Sequence, residues 1–213
     1  MPLMGSTERR ARERQDTRRK ILDAARALFV ERGYAAVTMR KIAEKIEYTP
    51  TAIYFHFRDK PALIRELALE DFGALASEFQ RIARVKDPTT RLRKTGQAYV
   101  AFGLDHPNHY RLMFMQPAPE VLEQPDMDAA DADADADAYS FLRAGVEAAI
   151  AQGQLRPELQ DPERVAQVLW AGVHGIVSLA IVHAAEDVPR RELEARSDLM
   201  LDALLRGMAR AGS

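Results

Sequence analysis

Hydrophobic residues recur every three or four positions along most of the chain, which is the period of an amphipathic α-helix. The first such pattern runs from Asp16 to Arg32 and ends at Gly33, a residue type that favours the end of a helix. Its apolar stripe consists of Ile21, Ala25, Leu28 and Phe29. Residues 1–15 are polar and rich in arginine, and we expect them to form a disordered basic arm. The pattern as a whole predicts an all-α protein.

Two short helices separated by a tight turn are predicted next. Apolar positions between Thr38 and Ile46 have helical spacing, with charged residues on the other faces. Thr49 is a favourable N-cap and Pro50 suits the first position of a helix, so another helix begins within about four residues. It extends to Phe57, and this spacing is typical of a helix-turn-helix. An ordinary helical hairpin inside an all-helical domain would show the same spacing.

The outward face of the second short helix is uncharged and able to form hydrogen bonds, whereas Ile53 and Phe57 can pack inward. Threonine hydroxyls, histidine and small methyl groups can reach base edges in the DNA major groove. We expect Arg40, Lys60 and Tyr54 to contact phosphates, because backbone contacts fix the register of a protein on DNA. The candidate DNA-binding residues are Thr38, Arg40, Thr49, Pro50, Thr51, Ala52, Tyr54, Phe55, His56 and Lys60.

Three segments share a known pattern: TRRKILDAARALFVERGY from Thr17 to Tyr34, then VTMRKIAEKI, then TPTAIYFHFRDKPALIREL. Together they resemble the DNA-binding domain of the TetR family of bacterial transcriptional regulators, almost without gaps. The resemblance implies a three-helix DNA-binding domain over residues 16–76, with its helix-turn-helix at about 38–57. Glu47 stands where the family often has glycine, so we expect either a different turn or strain at a positive φ.

The pattern after Lys60 predicts helices that begin at Pro61, Pro88, near Ala138, at Pro162 and at Pro189, and an apolar, aromatic segment follows Pro107. The segment that follows Pro162 is apolar on nearly all faces, so we expect nearly all of them to be buried. Gly172 and Gly175 interrupt it and are expected to permit close packing against another helix. The apolar stripe of the last helix consists of Leu193, Leu199, Met200, Ala203, Leu204 and Met208.

The segments AYVAFGLDHPNHYRLMF and WAGVHG are similar to the WHG-type C-terminal domain of TetR-family proteins, with Trp170, His174 and Gly175 at the named positions. This resemblance implies a helical ligand-binding and dimerisation domain over residues 77–213. It also implies a homodimer in which the last two helices of each chain form an intersubunit four-helix bundle. Two-fold symmetry would place the DNA-reading helices about 34–36 Å apart, matching a palindromic operator in double-stranded DNA.

A small apolar or amphipathic effector is the expected ligand of this C-terminal domain. Flexible and aromatic side chains can line an adaptable pocket, although ordinary core packing is the alternative for the same residues, and for the histidine in particular. The candidate ligand-binding residues are Phe102, Tyr110, Met113, Phe114, Trp170 and His174. We therefore predict a repressor that the effector releases from DNA. A DNA-binding dimer controlled by its abundance or by a protein partner is the second interpretation.

The distribution of charge along the chain supports DNA binding more strongly than the net charge of the chain does. The net charge is −2 at pH 7, yet residues 1–60 hold 14 Lys or Arg against 8 Asp or Glu, and the remainder has an acidic excess. Positive charge is thus concentrated where the helix-turn-helix lies.

A hydrophobic content of 47% over 213 residues fits one or two compact domains. The chain has no cysteine, which excludes disulfides and thiolate catalysis.

Several other functions are disfavoured by the motifs that are missing. We find no paired nucleophile and base, no phosphate-binding loop and no spaced metal ligands, so no enzyme, cofactor or metal site is predicted. No apolar run approaches the roughly 20 residues of a membrane-spanning helix, and a cytoplasmic protein is expected. The Asp-Ala repeat from Asp126 to Asp137 is expected to be disordered, and it lacks the glycine-turned loop of a calcium site.

Overall fold

The computed structural model of the protein describes residues 6–115, 138–183 and 188–210. Within these ranges the regular elements are helices, apart from one isolated bridge between Leu155 and Ala209. The all-α prediction is therefore confirmed. The Asp-Ala repeat and the loop predicted before it lie outside the described residues.

The helices begin at the caps that the sequence contains. The side chains of Thr38, Thr49, Asp87 and Asp161 each accept a backbone hydrogen bond from the first turn of the helix that follows. The helices are α1 (Ser6–Ala36), α2 (Met39–Lys45), α3 (Pro50–His56), α4 (Lys60–Ile82), α5 (Pro88–Asp105), α6 (Pro107–Tyr110), α7 (Ala138–Ala151), α8 (Pro162–Val182) and α9 (Arg190–Met208). A π-helical turn, Arg111–Met115, continues α6.

The chain divides into two compact units. The N-terminal unit comprises Met1–Glu70 and Asn108–Met127, and the C-terminal unit comprises Asp71–Pro107 and Asp128–Ser213. The first boundary falls inside α4, and the segment after Pro107 groups with the N-terminal unit. Leu112 accounts for this grouping because its side chain, 6% exposed, packs in the N-terminal hydrophobic core. Periodicity along the sequence does not reveal such a distant contact.

α1 begins at Ser6, so the prediction of a disordered arm over residues 1–15 is wrong from that residue onward. Arginine, glutamate and alanine favour helix formation, and Arg9 pairs with Glu13 one turn later at 3.7 Å. The helix is interrupted at Gly33, whose φ of 72° and ψ of 163° are not helical. Gly33 therefore ends the regular part of the helix, as glycine was predicted to do.

The core of the N-terminal unit contains side chains from each of α1 to α4. No side chain in this central set is more than 3% exposed: Ile21, Leu22, Ala25, Leu28, Phe29, Ile42, Ala43, Ile53, Phe57, Leu63, Ile64 and Leu67. Burial of this apolar area supplies the main driving force for folding of the unit. It also fixes the position of α3, which is too short to be stable alone.

α5, α7, α8 and α9 pack against one another in the C-terminal unit. Glycine permits a close approach of α8 and α9, because a Cβ on Gly172 would meet the Met200 Sδ atom at 2.7 Å. The predicted packing role of Gly172 is thus confirmed. Within the described chain no helix packs closely on Gly175, since a Cβ there would meet nothing within 4 Å, and its packing role stays a prediction.

α8 is apolar but is not buried on nearly all its faces, which corrects the prediction. Val168, Leu179 and Val182 are 43%, 59% and 62% exposed, because the other helices of the unit leave one side of α8 uncovered. α8 is also the one described helix that is long and apolar enough to cross a membrane, contrary to the prediction that no such run exists. Core helices of soluble proteins pass the same test of length and composition.

The predicted apolar stripe of α9 is only partly right. Leu193 and Met208 are buried, whereas Leu199 is 73% exposed. The buried row consists of Leu193, Ser197, Leu201, Leu205 and Met208. These positions lie three or four residues apart and share one face of the helix. Apolar residues occur on more than one side of α9, so periodicity did not distinguish the buried side from the exposed one.

Candidate nucleic-acid interface

Two short helices and the turn between them form the predicted helix-turn-helix in the N-terminal unit. α2 begins at Met39, and the Thr38 hydroxyl accepts a hydrogen bond from the Lys41 N–H at 3.3 Å. The turn after α2 is closed by the Tyr48 N–H, which donates to the Ala43 carbonyl at 2.9 Å. Backbone hydrogen bonds thus define the path of the chain from one helix to the next.

Glu47 occupies this turn with a φ of 60°, in the left-handed region that favours glycine. Among the residues that the structure describes, it is the one non-glycine residue with a positive φ. Its side chain is exposed. Of the two expectations for this position, strain at a positive φ is the one that the structure shows.

One side of α3 packs against the hydrophobic core, and the other side is exposed to solvent. The Thr49 hydroxyl accepts a hydrogen bond from the Ala52 N–H at 3.3 Å, and Pro50 occupies the first turn. Ile53 and Phe57 are 0% and 3% exposed, so they pack inward as predicted. The other side chains of this short helix are consequently directed away from the core.

The candidate DNA-binding residues are mainly exposed. Tyr54 and Phe55 are 53% and 69% exposed, which is high for aromatic side chains. Ala52, His56 and Lys60 are half-buried. The remaining exposed candidates are Thr38, Arg40, Thr49, Pro50 and Thr51. The structure therefore leaves the set accessible to a large ligand, and the contact of each residue with DNA stays a prediction.

The two candidate phosphate-binding cations differ in their surroundings. The Lys60 ammonium donates to the Val37 carbonyl at 2.8 Å, and burial lowers the pKa of this side chain. Lys60 thus attaches the start of α4 to the segment before α2. The Arg40 guanidinium donates to Glu44 at 2.9 Å on the exposed surface of α2. An exposed pair of this kind is weak, so Arg40 can exchange Glu44 for a phosphate at little cost.

Arg18 joins three elements behind the exposed surface of α3. Its Nη1 atom donates to the His56 carbonyl at 2.7 Å, and its Nε atom donates to Glu66 Oε1 at 2.5 Å. The guanidinium lies 4.3 Å from the centre of the Phe57 ring. These contacts hold the end of α3 against α1 and α4. Sequence reasoning missed Arg18, because its partners are 38 and 48 positions away.

His56 is held in its neutral form by its surroundings. Its Nδ1 atom is buried and has no hydrogen-bond partner among the described residues. Burial lowers the pKa of the imidazole, and the positive charges of Arg14 and Arg18 lower it further. At neutral pH the side chain is therefore a hydrogen-bonding group and not a cation.

The polar groups of Trp170 and His174, two of the candidate ligand-binding residues, are bonded within the C-terminal unit. The Trp170 Nε1–H donates to the Tyr99 hydroxyl oxygen at 3.1 Å, and this hydroxyl lies 3.3 Å from His174 Nδ1. The other ring nitrogen, His174 Nε2, lies 3.1 Å from the Ser178 hydroxyl. Burial lowers the pKa of His174, which keeps the ring neutral.

The other candidate ligand-binding residues are buried or half-buried. Phe102 belongs to the C-terminal unit and is 5% exposed. Tyr110, Met113 and Phe114 belong to the N-terminal unit, where the Tyr110 and Phe114 rings lie 4.9 Å apart. Cavities of about 330 and 280 Å³ in the C-terminal unit are lined by other residues. The ligand-binding role of all six residues stays a prediction.

Comparison with known proteins decides the family. Residues 21–67 match the family model described as bacterial regulatory proteins, tetR family. Residues 92–204, which are more than half of the chain, match the model described as tetracyclin repressor-like, C-terminal domain. The chain belongs to the TetR family. The resemblance found in the sequence is confirmed, and the protein is a DNA-binding transcriptional regulator.

Relatives of this TetR-family regulator match most of its length. TtgR, an HTH-type transcriptional regulator of Pseudomonas putida, is 31% identical over 178 residues, which cover 78% of the chain and 80% of TtgR. The solved SmeT–triclosan complex is 25% identical with a TM-score of 0.65, and the match covers 92% of the chain and 93% of SmeT. NalD, the secondary repressor of the MexAB-OprM multidrug efflux pump in Pseudomonas aeruginosa, has a TM-score of 0.72 at 19% identity, covering 94% and 100% of the two chains. At that identity the likeness of NalD shows the fold alone.

Membership of the TetR family decides between a helix-turn-helix and an ordinary helical hairpin. The surface formed by α2 and α3 is therefore the candidate DNA-binding surface of this TetR-family regulator. Across the described part of the chain, no group of three or more His, Asp or Glu side chains is placed to hold a metal ion. The exposed side chains of the surface offer hydrogen-bonding hydroxyls, aromatic rings and the Arg40 cation.

Proposed function

We propose that this regulator represses transcription as a homodimer bound to a palindromic operator. The observation that carries the proposal is the construction of α3. Ile53 and Phe57 anchor the helix in the core, whereas Tyr54 and Phe55 stay exposed although both are aromatic. With Thr51 beside it, Tyr54 suits the base edges and phosphates of a major groove, and Phe55 adds an aromatic ring to the same exposed surface.

An exposed apolar face on α8 and α9 supports the pairing of two chains. Val168, Leu179 and Val182 on α8, with Leu199 on α9, are between 43% and 73% exposed. Gly175 lies among them and leaves room for a close neighbour. A second copy would cover this face in a two-fold arrangement. The two reading helices would then contact half-sites about 34–36 Å apart.

We also propose that a small apolar or amphipathic effector releases the dimer from DNA. The SmeT–triclosan complex supports this proposal, because it shows a related protein with a small molecule bound. A coupling of about 1–3 kcal/mol would change DNA affinity about 5- to 150-fold, so a modest difference in effector affinity between two dimer geometries is sufficient. Within the C-terminal unit the proposed contacts are Phe102, Trp170 and His174. A role for Tyr110, Met113 and Phe114, which belong to the N-terminal unit, stays a separate prediction.

A second candidate function is a DNA-binding dimer without a small effector, controlled by its abundance or by a protein partner. The hydrogen bonds that link Tyr99, Trp170, His174 and Ser178 favour it, because these polar groups satisfy one another as core residues do. In either case we propose a cytoplasmic protein without enzymatic activity. Turnover detected in a screen for hydrolase and transferase activity would contradict the proposed lack of enzymatic activity.

Footprinting of the regulator on its own upstream DNA, at a defined salt concentration, tests the proposed function. Two protected half-sites about one helical turn apart are expected for a dimer on a palindrome. Protection of a single half-site would contradict the dimer. Failure to protect this DNA, followed by failure to select any bound genomic fragment, would contradict operator binding altogether.

Addition of an apolar compound library to the bound complex then separates the two candidate functions. A compound that lowers DNA affinity at least about fivefold is expected if an effector controls release. If no compound changes the affinity, the second candidate function is favoured. The experiment uses the full chain, because the C-terminal unit supplies the exposed face proposed to pair the two copies.

A further inference from the structure

Arg14 lies on α1 directly against the exposed side of the reading helix α3. Its guanidinium carbon is 5.1 Å from the centre of the Phe55 ring, a distance at which a cation and an aromatic face attract each other. Arg14 is exposed, and within the described residues no carboxylate pairs with it. Phe55 is 69% exposed, so the contact leaves both groups accessible. A cation without a carboxylate partner therefore lies at the edge of the DNA-binding surface.

α1 fixes the position of this cation more firmly than a disordered arm would. Arg18, one turn later on the same face, is held by Glu66 and by the His56 carbonyl. Arg10, one turn earlier on that face, is exposed and likewise has no carboxylate partner among the described residues. Arg10 and Arg14 thus form a short row of cations that continues beyond α3.

We propose that Phe55 is a positioning residue that holds Arg14 as a phosphate-binding group, and that Arg10 and Arg14 extend the DNA interface from α3 onto α1. This inference rests on the DNA binding by α3 proposed above and deepens it. The ligand of the row is the DNA backbone, because a guanidinium matches a phosphate with two parallel N–H donors. Phe55 then acts on DNA through Arg14. The contact of Arg14 with a phosphate fixes the register of α3 along the DNA without reading a base.

Binding of the full chain to its upstream duplex across a range of salt concentrations tests the role of Arg14. Arg14→Ala is expected to reduce the slope of log affinity against log salt concentration by about one. Arg12→Ala is the matched control, because Arg12 is an exposed arginine of the same helix but lies about 200° around it from Arg14. Arg12→Ala should leave the slope unchanged. Equal losses for the two variants would overturn the assignment, since total charge would explain both.

A double-mutant cycle tests the role of Phe55. Phe55→Leu is expected to weaken binding about two- to fivefold, whereas Phe55→Tyr, which keeps the aromatic face, should retain it. In the Arg14→Ala background Phe55→Leu should have no further effect, because the group that it positions is gone. Additive losses would overturn the positioning role and leave DNA binding by α3 intact. No binding by the unsubstituted chain to any duplex would instead contradict DNA binding itself, and this inference with it.

Discussion

Individual side chains of α3 separate folding from DNA binding. Ile53 and Phe57 are buried, and their loss would affect the whole N-terminal unit. Thr51 and Tyr54 are exposed and do not belong to the hydrophobic core. Substitutions on the two sides of one helix are therefore expected to have different consequences.

We predict that Tyr54→Ala and Thr51→Ala lose operator affinity while the protein stays folded and dimeric. Each base or phosphate contact contributes about 1–3 kcal/mol, which corresponds to a loss of roughly five- to 150-fold. Affinity measured by footprint titration, together with light scattering and thermal unfolding, checks this result. Ile53→Ala is the control and should destabilise the fold by about 2–5 kcal/mol. Unfolding of either exposed-side variant would show that its side chain belongs to the core.

His174 is predicted to make stability depend on pH. Burial lowers its pKa below the usual 6.5, so the unfolded chain binds a proton more readily than the folded one. The contribution of His174 to the free energy of unfolding is therefore fully present above about pH 6.5. It is lost as the pH falls through the lower pKa of the folded state. His56 contributes in the same direction, because its pKa is also lowered.

Urea unfolding at a series of pH values from about 7.5 to 5 measures this dependence. His174→Gln should show a shallower fall in the free energy of unfolding than the unsubstituted chain. His183→Gln is the control, because His183 is exposed at the end of α8. A fall of the same steepness in the His174→Gln variant would exclude His174 as a source of the pH dependence.

At the scale of secondary-structure elements, the turn between α2 and α3 stores backbone strain. Glu47 has a φ of 60°, which costs a non-glycine residue about 1–2 kcal/mol. We predict that Glu47→Gly raises the free energy of unfolding by roughly 0.5–1 kcal/mol, after the larger conformational entropy of glycine in the unfolded chain is subtracted. Chemical denaturation checks the change. Glu44→Gly, inside α2, should lower the stability by about 1 kcal/mol instead.

The elements that local chemistry specifies were predictable from the sequence. Thr49 with Pro50, and Asp161 with Pro162, mark helix starts because a capping side chain and a fixed φ act within a few residues. The inward position of Ile53 follows equally from the helical period. Features that depend on distant residues were not predictable, such as the Arg18 contacts and the grouping of Leu112 with the N-terminal core.

The candidate DNA-binding surface was accessible to sequence reasoning for the same reason. Its residues lie on two adjacent short helices, so one contiguous stretch of sequence contains most of it. The helical course of α1 from Ser6 was missed, because its arginine-rich start has no apolar stripe. The contact of Arg14 with Phe55 was missed with it, since a disordered arm has no fixed neighbours.

At the scale of the whole molecule, the uncovered face of α8 and α9 predicts the state of the protein in solution. We expect Leu199→Asp to convert dimers to monomers and to abolish stable operator binding, because a charge would be buried in the proposed interface. Light scattering and footprinting check both results. Leu69→Asp is the matched control, since Leu69 is 66% exposed on α4, outside the proposed pairing face. A dimer that persists in Leu199→Asp would place the interface elsewhere.

The apolar face of α8 and α9 also has a consequence for timing in the cell. If only paired chains hold an operator, dimer formation varies with the square of the chain concentration while most chains are single. Halving the supply of new chains would then lower the number of dimers about fourfold. Synthesis and degradation of the regulator would therefore set a threshold, so that the target gene responds sharply to a small change in dosage.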